Sequence, residues 1–74
     1  MEYELQIRIE QVANVERVLD FFAGSAYEPA RLDDHTVALR PPDAISERLA
    51  RREVAIYLRV LERVHPGVGA SLVA

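Results

Sequence analysis

Residues 43–64, DAISERLARREVAIYLRVLERV, form the stretch whose covering decides the fold. Pro41-Pro42 precedes it and Pro66-Gly67 follows it after His65, and no glycine or proline lies between these breakers. Asp43 stands where an N-cap residue belongs, with a side chain that can accept a bond from a free backbone N–H. The stretch therefore predicts a single helix of about 20 residues, roughly 30 Å long.

Two apolar stripes run along this predicted helix when successive residues are placed 100° apart. The first stripe consists of Ala50, Val54, Tyr57, Leu58, Leu61 and Val64, and the second of Ile45, Leu49, Ile56 and Val60. Together they cover roughly 220° of the circumference, against about 100° for a helix that lies on one core. We expect one stripe to face the chain's own sheet and the other to need a partner, most simply a second copy. The alternative is that the segment 24–34 or the other helix covers it.

Length and composition point the same way. The chain has 74 residues, a net charge of −3 and no cysteine. Residues 1–74 allow one domain, and a domain this small is often marginally stable alone. Without cysteine there is no disulfide framework, thiolate metal site or cysteine nucleophile. We therefore expect a homodimer, with Ile45, Leu49, Ile56 and Val60 at its interface.

The sequence also bears on location. Half of the residues are hydrophobic, which is typical of a globular chain. No apolar run is long enough to cross a membrane, and Glu2 and Glu4 next to Met1 argue against a signal peptide. We expect a cytoplasmic protein without a membrane partner.

The first half of the chain predicts a strand followed by a helix. Apolar and polar residues alternate strictly from Tyr3 to Glu10, as in a strand with one buried and one solvated face. A helix of about three turns follows, with Asn14 as its N-cap and Gly24 at the C′ position. Its buried side consists of Val15, Val18, Leu19 and Phe22, with Phe21 at the edge.

Residues 26–40 predict a hairpin. Its first strand, 27–32, contains Pro29 and is therefore an edge or bulged strand. Asp33-Asp34 forms the turn, and the strand from His35 to Arg40 follows, with Val37 and Leu39 inward. If the first strand does not form, the segment is a long loop.

A last, small-sided strand is expected from Val68 to Val73. The fold class is then α+β, a ferredoxin-like β-α-β-β-α-β sandwich with two helices on one face of a four-stranded antiparallel sheet. This order is similar to that of ACT-type amino-acid-sensing domains and of dimeric α+β-barrel proteins. The similarity is one of topology, because the glycine-containing turn that follows the first strand of ACT domains is missing from residues 10–14.

The candidate chemistry is sparse. Asp33, Asp34 and His35 are residue types that ligate metals or act as general bases, but neighbours in a turn point in different directions, and Asp-Asp is common in turns. His65 follows the long helix, where a histidine complements the dipole. No serine has the context of a nucleophile. We predict no cofactor, no metal site and no catalytic set. If the protein is an enzyme, Asp34, His35 and Arg40 are the first residues to test.

Nucleic-acid binding is the third reading. The long helix has an Arg-rich face, including Arg52 and Arg59, but the whole chain is acidic, whereas nucleic-acid binders usually have a basic domain. The solvated face of the first strand carries Glu4, Gln6 and Arg8, and therefore lacks the aromatic residues that stack on RNA bases.

We therefore favour a small non-catalytic dimerising module. It would bind a small ligand or a protein partner at the dimer interface or along the open sheet. The alternative is a small dimeric α+β enzyme with a pocket between its helices and its sheet.

Overall fold

A computed structural model describes residues 3–42 and 44–73. The fold is α+β, with two helices and a four-stranded antiparallel sheet. In chain order the elements are β1 (Leu5–Ile9), α1 (Val15–Ala23), β2 (Glu28–Asp33), β3 (Thr36–Arg40), α2 (Glu47–Val64) and β4 (Ala70–Leu72), with a 3-10 turn at Val12–Asn14 ahead of α1. The strands lie side by side in the order β2-β3-β1-β4.

β1 is a central strand, and its residues alternate between a buried (dry) face of the sheet and a solvent-exposed (wet) one. Leu5, Ile7 and Ile9 are fully buried, while the residues between them are exposed, so the predicted alternation is confirmed. The dry face packs with the buried sides of both helices in one core. Both helices therefore cover the same face, and the core consists of Leu5, Ile7, Ile9, Val15, Val18, Phe22, Tyr27, Val37, Leu39, Ala50, Val54, Leu61 and Val68.

The predicted hairpin is confirmed. β2 and β3 pair antiparallel, and their register shifts between Arg31 and Asp33. β2 is an edge strand, where Pro29 is tolerated because its missing N–H breaks no ladder on the open side. The turn is closed by Asp33, whose Oδ1 accepts the backbone N–H of His35 at 2.8 Å. This bond holds the pKa of the Asp33 carboxyl below its usual value.

The start of α2 was predicted wrongly. The helix begins at Glu47, and its N-cap is Ser46, whose Oγ accepts the N–H of Leu49 at 3.2 Å. Asp43, the predicted cap, lies outside the described residues. Ala44 has a φ of 68°, which a right-handed helix does not allow, so the chain turns before it enters α2. The C-terminal end is as predicted, with Val64 as the last helical residue.

Three smaller predictions also need correction. Asn14 is the N-cap residue of α1, as predicted, but its side chain makes no capping bond, and its Nδ2 instead donates to the carbonyl of Val68 at 3.2 Å. Gly24 ends α1 with a φ of −89°, so no left-handed residue closes the helix. The last strand is shorter than predicted. It begins at Ala70. Gly69, just before it, lies so close to the Glu10 side chain that a Cβ at this position would be only 2.9 Å from Oε2 of Glu10.

Candidate functional site

The first apolar stripe of α2 faces the core, with one exception. Ala50, Val54 and Leu61 are fully buried, and Tyr57 and Leu58 pack half-buried against the core. Val64, assigned to this stripe from the sequence, is instead 59% exposed. At this end of the molecule the core takes in Val68, which follows the helix.

The second stripe is exposed along its helical part. Leu49, Ile56 and Val60 expose 54%, 58% and 45% of their surface. Ile45 does not belong to the helix, because it precedes the cap, packs half-buried against the core and accepts the Tyr3 hydroxyl with its carbonyl at 2.9 Å.

With Val64, these helical residues form what we call the exposed stripe: Leu49, Ile56, Val60 and Val64. The stripe follows one side of α2 for about 22 Å, since each residue rises by 1.5 Å. It is the largest alignment of exposed aliphatic side chains on one element among the described residues.

A row of arginines follows the exposed stripe on one side. We call Arg48, Arg52, Arg59 and Arg63 the basic row, and all four are exposed. At 100° per residue the row lies within about 80° of Ile56, on the side away from Tyr57. Glu53 is half-buried and is the one acidic residue within the stripe. An apolar strip with one strongly basic border results.

An aromatic cluster lies under the other border of the stripe. The Tyr57 ring meets Phe22 edge-on at 6.0 Å and Tyr27 at 6.1 Å between centroids. Tyr27 is 1% exposed, and its hydroxyl has no hydrogen-bond partner among the described residues. Burial raises the pKa of this hydroxyl, and the nearby Glu53 carboxylate raises it further, although its geometry falls outside that of a hydrogen bond.

The candidate catalytic residues do not converge on one place. Asp34 is exposed and pairs with Arg31 at 3.0 Å. His35 is half-buried, and its Nδ1–H donates to the carbonyl of Ile9 at 2.9 Å. Arg40 lies five residues further along β3, roughly 17 Å from His35. The turn residues therefore have structural partners, and Arg40 is at the opposite end of the strand.

The open sheet face has a shallow depression at the Arg40 end. Its volume is about 210 Å³, and its lining consists of Glu4, Glu28, Pro29, Ala30, Ala38 and Arg40. Its charged side chains are two carboxylates and one guanidinium. Within residues 3–42 and 44–73 no three His, Asp or Glu residues come together as a metal site would require.

Two further findings bear on identity. In the described part of the chain no helix is both long and apolar enough to span a membrane. The chain matches no protein-family model, no curated protein and no solved structure.

Proposed function

We propose that the chain is a small non-catalytic module that forms a homodimer through the exposed stripe of α2. The observation that carries the proposal is the alignment of four large aliphatic side chains, each between 45% and 59% exposed, along one side of one helix. Scattered apolar residues are normal on a protein surface, but an aligned apolar strip with a charged border is typical of an interaction site.

The proposal includes a ferredoxin-like fold. The element order β1-α1-β2-β3-α2-β4 and the strand order β2-β3-β1-β4 support it. In such an arrangement the sheet covers one face of the helix pair and leaves the other to solvent or to a partner. A ligand or a second protein would then bind at the dimer interface or in the depression on the open sheet face.

A non-catalytic role is supported by the separation of the candidate groups. A general base must lie within hydrogen-bond reach of the atom that it serves, and other catalytic groups must reach the same place. His35 is bonded to the Ile9 carbonyl, and Arg40 lies roughly 17 Å away along β3.

Changing Ile56 to Glu and, separately, Val60 to Glu tests the dimer. Each change places a charge in the apolar strip, and we expect the dimer dissociation constant to rise at least tenfold, because burying a carboxylate between two apolar stripes is costly. The measurement is light scattering over a concentration series, with circular dichroism to check that the fold is kept.

Ala55→Glu is the matched control. Ala55 is exposed on the same helix, one residue from Ile56 but off the stripe, so the same new charge should leave the dimer intact. If the wild-type protein is a dimer and both stripe variants dimerise equally well, the stripe is not the interface.

A further inference from the structure

The outward surface of the helix pair has three parallel bands of different chemistry. Tyr57 faces α1, and Arg51 lies on the β4 side, where its Nη1 donates to the Val73 carbonyl at 2.9 Å. At 100° per residue, the exposed stripe follows Tyr57 around α2, and the basic row lies between the stripe and Arg51. From the β4 side towards α1, the surface is therefore basic and then apolar.

The third band, on α1, is acidic. Glu16 and Asp20 are exposed and lie one turn apart, on the side of α1 opposite its buried Val15, Val18 and Phe22. Arg17, the basic residue of α1, is turned towards α2, where its Nη1 lies 3.5 Å from Nδ1 of His65.

The two helices run antiparallel, which fixes the levels of these charges along α2. Phe22, near the end of α1, meets Tyr57 in the middle of α2, whereas Arg17, near its start, reaches His65 beyond the end of α2. Counting back from Phe22 at 1.5 Å per residue puts Asp20 level with Arg59, and Glu16 level with Arg63.

From these bands we infer that the partner is a second copy, placed by a two-fold axis parallel to the helices so that α2 of each protomer lies over α1 of the other. This geometry rests on the proposed function and specifies its interface. Such an axis keeps every residue at its level and exchanges left and right. The two exposed stripes then meet in the middle, Asp20 faces the partner's Arg59, and Glu16 faces the partner's Arg63.

Charge disfavours the other simple arrangement of the same two faces. A two-fold axis across the helices would place α2 against the partner's α2 in antiparallel fashion. The basic rows would then lie opposite each other, with eight arginines along one border. Like charges set against each other at an interface suppress such a pairing.

A charge exchange tests the geometry with the full chain. One variant carries Arg59→Glu and Arg63→Glu, and the other carries Glu16→Arg and Asp20→Arg. Each alone sets like charges against each other at four positions of its dimer, so we expect its dissociation constant to rise about 30-fold or more. Mixed in equal amounts, the two variants should form a heterodimer close to wild-type affinity, because every pair is then opposite in sign.

The control carries Arg48→Glu and Arg52→Glu, the same change of charge on the same helix but below the level that α1 reaches. It should dimerise within about threefold of wild type. Native mass spectrometry of the mixture and sedimentation equilibrium of each variant give the readouts, and circular dichroism checks folding.

The outcomes separate the two proposals. A wild-type protein that stays monomeric across the concentration series would overturn the dimer itself, and with it this geometry. If the wild type is a dimer but the folded exchange variants still form homodimers, the geometry alone is overturned. The same holds if the two folded variants do not pair with each other. Loss of both homodimers with recovery in the mixture supports it.

Discussion

The two sides of α2 have similar aliphatic residues but opposite environments. Leu61 is fully buried, whereas Leu49, three turns earlier on the same helix, is 54% exposed. The difference arises from what lies opposite, since the sheet covers one side of the helix and α1, at nine residues, is half as long as α2 at eighteen. An apolar side chain on this helix therefore does not by itself define the core.

The largest expected effect on stability comes from a substitution on the buried side of α2. Leu61→Ala should lower the free energy of unfolding by about 2–5 kcal/mol, because it removes a fully buried side chain and leaves a cavity. Leu49→Ala is the matched control. Made in an Ile56→Glu background to keep the protein monomeric, it should cost less than about 0.5 kcal/mol. Chemical denaturation measures both, and equal losses would mean that Leu49 is covered within one chain.

The next largest expected effect on stability concerns the N-terminus of α2. Ser46→Ala removes the oxygen that accepts the Leu49 N–H and should cost about 1 kcal/mol. Ser46→Asp keeps an acceptor at the same position and should retain wild-type stability. If Ser46→Ala is neutral in urea denaturation, the helix is capped elsewhere.

The smallest expected effect on stability at neutral pH concerns the aromatic cluster that lies between the buried and the exposed side of α2. Tyr27→Phe removes a buried hydroxyl that has no hydrogen-bond partner within residues 3–42 and 44–73, and it should change stability by less than about 1 kcal/mol. Tyr3→Phe is the comparison, since its hydroxyl donates to the Ile45 carbonyl, and its loss should cost about 1 kcal/mol. A larger loss for Tyr27→Phe than for Tyr3→Phe would show that Glu53 accepts its bond.

Tyr27→Phe should also change how stability depends on pH in the alkaline range. The pKa of Tyr27 is raised in the folded state, so above about pH 10 the unfolded chain loses this proton while the folded chain keeps it. The wild-type protein should therefore lose stability as pH rises above 10, and Tyr27→Phe should lose less.

Periodicity and turn chemistry were enough to predict most of the fold. The strict alternation of β1 specified its buried face, and Pro29 with Asp33-Asp34 specified an edge strand and a hairpin. Patterns of this kind are local, since each residue's role depends on its near neighbours in the chain. The prediction that α2 has more apolar surface than its own core covers also followed from the sequence.

The details that failed depend on distant contacts. The N-cap of α2 is an exception, since Ser and Asp both cap helices and the choice between Ser46 and Asp43 depends on the backbone turn at Ala44. Val64 fits the buried stripe by its spacing but is exposed, while Val68 from beyond the helix belongs to the core. Tyr27 is buried in the core, where its ring contacts Tyr57, thirty residues away. The carboxylates on α1 were not recognised, because their relation to α2 exists only in the folded chain.

The order of the strands also has a kinetic consequence. The β2-β3 hairpin joins residues close in the chain, whereas β1 pairs with β4 across most of the sequence, with Ile9 opposite Ala70. Closing so long a loop is slow, and a strand of three residues gains little once it is closed. We therefore expect β4 to dock last during folding and to detach first in native-state hydrogen exchange. Its backbone N–H groups would then exchange through partial opening, while those of β3 would require global unfolding.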